Sequence, residues 1–422
     1  MITTRPRGTA DILPEEAGRW RFVEDTFRRI CREYNYREIR TPVFEHTELF
    51  ERGVGDTTDI VEKEMYTFRD RGDRSVSLRP EGTAPVVRAY LESNLHSGPQ
   101  PVKLYYTGAM FRYDKPQAGR YRQFHQLGVE ALGSSHPALD AEMIAMIMDF
   151  YGRLGLKGLE LHINSVGCPR CRLALKDELQ NYLRPHAGEL CINCKNRLER
   201  NPLRVLDCKE KNCDRIAVNA PTTLDCLCPD CGDHFDAVKE YLDRLGVVYQ
   251  VDGRLVRGLD YYTHTAFEVM STDIGSQSSI GGGGRYNGLV EACGGPPAPG
   301  VGFALGIERI LLAMKGRGAY FPAGDRPDVF VVSADAECEK DAFDLLFALR
   351  KCGLGADMDY MGRSLKAQMK FAGKTGCRFV VILGGDELKR GSASVKDMTN
   401  GSQIELPLKG LAEEIKKLIG GN

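Results

Sequence analysis

Residues 102–132 read VKLYYTGAMF, RYDKPQAGRYR and QFHQLGVEAL, and this stretch decides the fold class. Two runs carrying aromatic and β-branched residues flank a polar, basic segment, the pattern of a hairpin with a long charged tip. On its N-terminal side, Pro14, Glu15 and Glu16 suit a helix start, and Trp20, Val23, Phe27, Ile30 and Tyr34 follow at spacings of 3, 4, 3 and 4. That periodicity predicts an amphipathic helix over 14–34. REIRTPVFEHTELF comes next, and Pro42 within it marks an edge or interrupted strand. On the C-terminal side, Leu139, Met143, Ile144, Ile147, Met148 and Tyr151 keep helical spacing, LELHIN reads as a strand, and four glycines at 281–284 precede RYNGL. So much glycine suits close backbone packing or a ligand. After FPAGDRPD, a linker by composition, strands and helices alternate: DVFVVS, ECEKDAFDLLFALRKCG, LGADMDY, SLKAQMKFAGKTG and CRFVVILGG. This is a separate α/β domain.

The chain has 422 residues, enough for two or three domains. Lys plus Arg is 57 and Asp plus Glu 58, a net charge of 57 − 58 = −1, so no global field attracts a polyanion. A nucleic-acid partner would need a local patch. No apolar h-region opens the chain and no stretch of 18 apolar residues follows, so a cytoplasmic protein without membrane contact is expected. Of 14 cysteines, nine fall between Cys168 and Cys231. Cys168-Pro-Arg-Cys171 and Cys191-Ile-Asn-Cys194 match the spacing of a tetrahedral zinc site, with Cys208, Cys213, Cys228 and Cys231 as a second set. In a cytosolic chain zinc is favoured over disulfides, with inert thiols as the alternative.

Two nucleotide-binding patterns fail. Gly373, Lys374 and Thr375 are preceded by Gln368 where a Walker loop needs glycine, and no strand leads into G-x-G-x-x-G. The remaining phosphate-binding candidates are Arg112, Arg120, Arg122, Arg257 and Arg309, whose guanidinium groups stay charged and match phosphate oxygens in a fork. Taken singly, such arginines are more often solvated surface residues.

LRPEGT at 78–83, GAMFRYDKPQAGRYRQFHQLGVEALG at 108–133, LVRGLDYYTHTAFEV at 255–269 and GVGFALGIERILLAM at 300–314 together resemble the class II aminoacyl-tRNA synthetases, specifically the histidyl-tRNA synthetases. PRGTAD near the N-terminus agrees. The resemblance implies an α+β fold: an antiparallel-sheet catalytic core with helices, in parts 1–166 and 237–322, an inserted cysteine-rich domain at 167–236 that touches the tRNA acceptor arm, and an anticodon-binding domain at 327–422. It further implies activation of L-histidine with ATP and Mg²⁺, transfer to tRNA(His), and a homodimer through residues 20–45. The rival is the synthetase-like regulatory subunit of ATP phosphoribosyltransferase, which usually lacks the C-terminal domain and parts of the active site.

Residue by residue, the resemblance places Arg112 on the α-phosphate, Arg120 on the outer phosphates and Arg309 on the γ-phosphate. Asp114 stands where many class II members carry glutamate near the adenine, one methylene longer. Arg257 resembles the catalytic arginine that bridges substrate carboxylate and α-phosphate. Glu81, Thr83 and Gln126 would hold the α-ammonium, and Glu130 and Tyr262 would read the imidazole. A carboxylate and a phenol complement its N–H donor and bare nitrogen. In the C-terminal domain, 14 basic and 14 acidic residues cancel, yet Arg363, Lys366, Lys370 and Lys374 repeat at helical spacing with no acid before Arg378. The resemblance makes this run the RNA surface, against the plainer reading of a solvated helix face.

Overall fold

The computed structural model describes residues 3–55, 58, 60–206, 208, 210–272, 279–321 and 326–420. The chain forms two compact units, Met1–Pro322 and Ala323–Asn422. Residues 322–325 of the linker expected at 321–328 lie outside the described residues.

In the first unit the expected hairpin is β5 (Val102–Phe111) and β6 (Gln123–Leu132), paired antiparallel from Val102 opposite Leu132 to Phe111 opposite Gln123. Three short strands precede it besides β1 (Arg37–Glu38): β2 (Phe44–His46), β3 (Thr67–Arg69) and β4 (Ser75–Leu78) form a small sheet of their own. Pro42 therefore separates two sheets, because it cannot donate to a ladder. After the hairpin come β7 (Glu160–Ser165), β8 (Gln250–Val251), β9 (Thr263–Met270), β10 (Ser279–Arg285) and β11 (Gly300–Gly306). The main sheet runs β1-β5-β6-β11-β10-β9-β7-β8, antiparallel from β5 to β7 and parallel only at its two edges.

Helices cover one face. The predicted first helix, Pro14–Glu33, buries Val23, Phe27 and Ile30 against Leu127 and Val129 of β6, Phe303 of β11 and the helix Pro137–Arg153. Full burial of each such side chain contributes about 1.5–3 kcal/mol. The other face carries Tyr106, Met110 and Tyr286, covered in part by the helix Thr83–Glu92 through Val86, Val87 and Tyr90.

Between β7 and β8 the chain leaves the sheet. Helices Pro169–Leu183, Ile192–Arg200 and Lys211–Ala217 gather around Leu175, Leu179, Leu183, Leu198, Val205 and Ile216. The helix Pro229–Arg244 then returns, burying Phe235, Val238 and Leu242 in the main core. Residue 236, expected to end the insert, falls inside that helix, whose buried face belongs to the core of the main sheet. No helix among the described residues is long and apolar enough to cross a membrane.

In the second unit β12 (Val329–Ser333), β13 (Ala356–Met358) and β14 (Phe379–Leu383) pair parallel in the order β13-β12-β14, and β15 (Ser392–Asp397) and β16 (Gln403–Pro407) add antiparallel. Helices Glu339–Lys351 and Leu411–Gly420 pack on the core formed by Val329, Val331 and Val381, and Leu365–Thr375 packs through Ala372 on Phe330, Val332 and Val380.

Candidate active site

Successive residues of a strand point to opposite sides. While Leu127, Val129 and Ala131 of β6 fill the core, Gln126 and Glu130 face a cavity of about 280 Å³ on the other side of the sheet. Its wall includes Arg112, Asp114, Arg120, Arg257 and Arg309, and also Glu81, Thr83, Gln126, Glu130 and Tyr262. The structure thus gathers the residues expected at ATP and at histidine into one space, from four distant stretches of chain.

Glycine shapes the wall. A Cβ on Gly302 of β11 would overlap the Glu130 carboxylate, and one on Gly282 of β10 would meet the Phe267 carbonyl at 2.5 Å and the Arg257 guanidinium at 3.1 Å. The backbone there must be bare for these two side chains to reach the cavity.

The arginines are fixed individually. Arg112 donates to the Pro80 carbonyl at 2.9 Å, and Arg309 to those of Gly119 at 3.3 Å and Ser279 at 2.8 Å. Arg257 pairs with Glu268 of β9 at 2.6 Å. Burial lowers the proton affinity of Arg309, and Arg120, Arg112 and Arg257 lower it further. Four like charges held this close favour a multiply charged anion. Asp114 is ion-paired with Arg120, which lies 4.0 Å from Glu64 as well. Its carboxylate is therefore spent on an arginine in this structure rather than presented toward a base.

The acidic side of the cavity is drier. Glu81, 3% exposed, accepts the backbone N–H groups of Thr83 at 2.7 Å and Ala84 at 2.8 Å, satisfying orphan donors at the start of the Thr83–Glu92 helix. Glu130, 1% exposed, accepts from Thr83 Oγ1 at 2.7 Å and from the Tyr286 hydroxyl at 2.5 Å. Burial pushes its carboxyl up to about 8, against the opposing pull of the Tyr286 and Thr83 hydrogen bonds. Burial also raises Glu81. Gln126 Oε1, on the cavity wall, is buried with no protein partner. Such an atom is costly to leave unpaired and is available to a polar ligand.

Thr83 and Glu130, expected on the two ends of the amino acid, are bonded to each other. Tyr286 and Glu268 were not singled out in the sequence. Glu268 has a signal, an acid alternating within TAFEVM, but a solvent-facing strand residue gives the same pattern. Tyr286 has none beyond its place after the glycines.

Outside the cavity the structure revises two groupings. The thiols assemble as Cys168, Cys171, Cys228 and Cys231 and as Cys191, Cys194, Cys208 and Cys213. The expected quartet of Cys168, Cys171, Cys191 and Cys194 is thus divided, because the pair 168/171 meets the returning pair across the base of the insert. In the second unit, Lys366, Lys370 and Lys374 are exposed on the Leu365–Thr375 helix, whereas Arg363 precedes the helix. Arg363 bonds Asp359 at 2.5 Å and lies over the Phe371 ring at 4.6 Å, so it does not share their face. Arg378 is likewise engaged, with the Leu418 and Ile419 carbonyls.

Comparison with known proteins bears on this geometry. A family model described as histidyl-tRNA synthetase matches residues 8–184 and 218–310, and one described as anticodon binding domain matches 328–418. The histidine–tRNA ligase of Pelotomaculum thermopropionicum is 65% identical over 100% of this chain and 99% of its own. The crystal structure of apo S. aureus histidyl-tRNA synthetase superposes with a TM-score of 0.85 at 43% identity, covering 99% of this chain and 100% of that one. A Bacillus halodurans ATP phosphoribosyltransferase regulatory subunit/histidyl-tRNA synthetase shares the fold, with a TM-score of 0.66 at 23% identity over 91% of this chain and 99% of that one. With family models spanning both units and a full-length relative at that identity, the chain belongs to the histidyl-tRNA synthetase family.

Proposed function

We propose that this chain activates L-histidine with ATP to histidyl-adenylate and transfers the histidyl group to the 3′-terminal ribose of tRNA(His). The observation carrying this reading is the single cavity that joins four arginines to two buried glutamates. In the first step a histidine carboxylate oxygen attacks the α-phosphorus, the new P–O bond forms, and the bond to pyrophosphate breaks with the electron pair leaving on pyrophosphate. In the second, a ribose hydroxyl attacks the activated carbonyl, the ester C–O bond forms, the bond from the carbonyl carbon to the phosphate oxygen breaks, and AMP departs with release of the hydroxyl proton. Neither step begins with a hard proton abstraction from carbon, so positioning and charge neutralisation carry most of the acceleration.

Each group has a part. Arg257, steadied by Glu268, holds the substrate carboxylate near the α-phosphate, and Arg112 takes charge from the α-phosphate oxygens. Arg120 and Arg309 hold the outer phosphates, Arg120 exchanging its bond to Asp114 for them. ATP would enter as its Mg²⁺ complex, the ion supplying positive charge to the phosphates beside Arg112, Arg120 and Arg309. Glu81, Thr83 and Gln126 receive the α-ammonium, and Glu130 with Tyr262 receives the imidazole. A site of buried polar groups rejects an apolar isostere strongly, since those groups would stay unpaired.

The second unit binds the anticodon arm through Lys366, Lys370 and Lys374, and the insert reaches toward the acceptor arm. The protein acts as a homodimer in which residues 20–45 meet, a reading supported by the exposed Val43 and Phe44. Histidine-dependent ATP–pyrophosphate exchange, followed by charging of tRNA(His), tests the function. Exchange that ignores histidine sinks the specificity, and no exchange at all favours a regulatory role.

A further inference from the structure

The eight cysteines of the insert lie in two quartets, and within each quartet the sulfurs all lie within 4.8 Å of one another. Cys168 and Cys171 are 3.7 Å apart, Cys168 and Cys228 4.0 Å, and Cys191 and Cys208 3.9 Å. A disulfide needs about 2.05 Å. Four sulfurs around a tetrahedral zinc, with bonds of about 2.3 Å, stand about 3.8 Å apart. The backbone agrees: Cys228 N–H points at Cys171 Sγ at 3.2 Å, Cys191 N–H at Cys213 Sγ at 3.2 Å, and Cys194 N–H at Cys191 Sγ at 3.4 Å. Such donors suit thiolates, as does the placing of Cys168, Cys191 and Cys228 at the N-caps of three helices.

We propose that this insert holds two tetrathiolate zinc ions, one at its neck and one at its tip, and that they rigidify the arm that grips the loop bearing Arg257. The neck quartet ties the segment leaving the core at 168–171 to the segment returning at 228–231. The tip quartet lies within 185–217, a stretch the family model does not match. The helices there, Ile192–Arg200 and Lys211–Ala217, share a small core, the circumstance in which a metal supplies folding free energy.

The grip is visible on both sides. Arg172, next to the neck ligand Cys171, donates to the Asp260 carbonyl at 3.0 Å. Arg204, between the tip ligands Cys194 and Cys208, reaches the Gly258 carbonyl and the Asp260 carboxylate, each at 3.1 Å. Arg254 of the same loop reaches back to Asp214, beside Cys213, at 2.5 Å. Binding releases the thiol protons, so zinc affinity falls with acidification.

The test is metal analysis of the full-length protein purified without chelator, with X-ray absorption at the zinc edge. Two zinc ions per chain, each with sulfur-only coordination, are expected; Cys213→Ser and Cys228→Ser should each retain one. Where a variant fails to fold, stepwise mercurial titration of the wild-type protein with a chromophoric chelator gives the same count, two equivalents released for eight thiols. In the Cys213→Ser protein, amide exchange across 253–262 should rise. Folded protein without zinc, iron in its place, or nitrogen and oxygen ligands overturns the metal assignment, and unchanged exchange across 253–262 overturns the grip. Zinc content is read without reference to catalysis, whereas any effect through Arg257 rests on the activity proposed above, so the two can fail separately.

Discussion

Replacing Glu130 by glutamine removes an ionisable group whose burial works against the folded protein at neutral and alkaline pH. In the unfolded chain this carboxyl titrates at its ordinary 4.5, and in the folded chain at about 8. Below pH 4.5 it is neutral in both states and costs nothing. As pH rises the unfolded chain loses the proton while the folded chain keeps it, so stability falls through the window from 4.5 to about 8 and then levels. At about 1.4 kcal/mol for each tenfold change in proton affinity, the penalty is about 1 kcal/mol at pH 5 and about 5 kcal/mol at pH 9. Glutamine keeps the size and an acceptor for Thr83 without the charge. Urea unfolding of both proteins at pH 5, 7 and 9 should therefore show the Glu130→Gln variant gaining about 4 kcal/mol on wild type between the extremes. Stabilities running parallel across that range would refute the reasoning. The same variant should lose histidine affinity while keeping ATP affinity, a gain in stability bought with function.

Further outcomes follow from other contacts. Arg257→Lys should slow histidine-dependent exchange by about 10²- to 10³-fold in kcat, because a point charge replaces the fork facing the transferring phosphoryl group; an unchanged kcat would remove Arg257 from the reaction. Gly302→Ala places a methyl against the Glu130 carboxylate and should raise the histidine KM with the circular dichroism spectrum intact. Neutralising Lys366, Lys370 and Lys374 together should weaken tRNA charging and reduce the magnitude of its log–log salt slope by about 2, with pyrophosphate exchange preserved. A salt slope equal to wild type would exclude this patch. Asp140→Asn breaks a fully buried pair with Arg285, to which His234 also approaches at 3.5 Å, and should cost about 3–5 kcal/mol in chemical denaturation.

Much of this was legible in the chain because it is local. Trp20 to Tyr34 show their helix by spacing, and the 102–132 hairpin by composition, since one face of each must be apolar. What was not legible depends on partners far away in sequence. Glu130 alternates within its strand as a solvent-facing residue would, and only the approach of Thr83, Tyr286 and the bare Gly302 buries it. The cysteine pairs 168/171 and 191/194 satisfy a spacing rule together, yet each closes with other thiols because the insert folds back on itself. Arg363 keeps the lysine period but lies beyond the helix start, where Asp359 claims it. Pairings of this kind are settled in three dimensions, and periodicity carries no information about them.

The strand β6 has a consequence for how this protein can change. Its alternate letters serve two masters, Leu127, Val129 and Ala131 the interior and Gln126 and Glu130 the cavity. Losing or gaining one residue within 123–132 would exchange the two sets, presenting leucine and valine to the substrate and a carboxylate to the interior. Length variation should therefore collect in the turn at 115–118, between the cavity residues Asp114 and Arg120, and new substrate preferences can arise in β6 only by point substitution at the cavity-facing letters, never by sliding the frame.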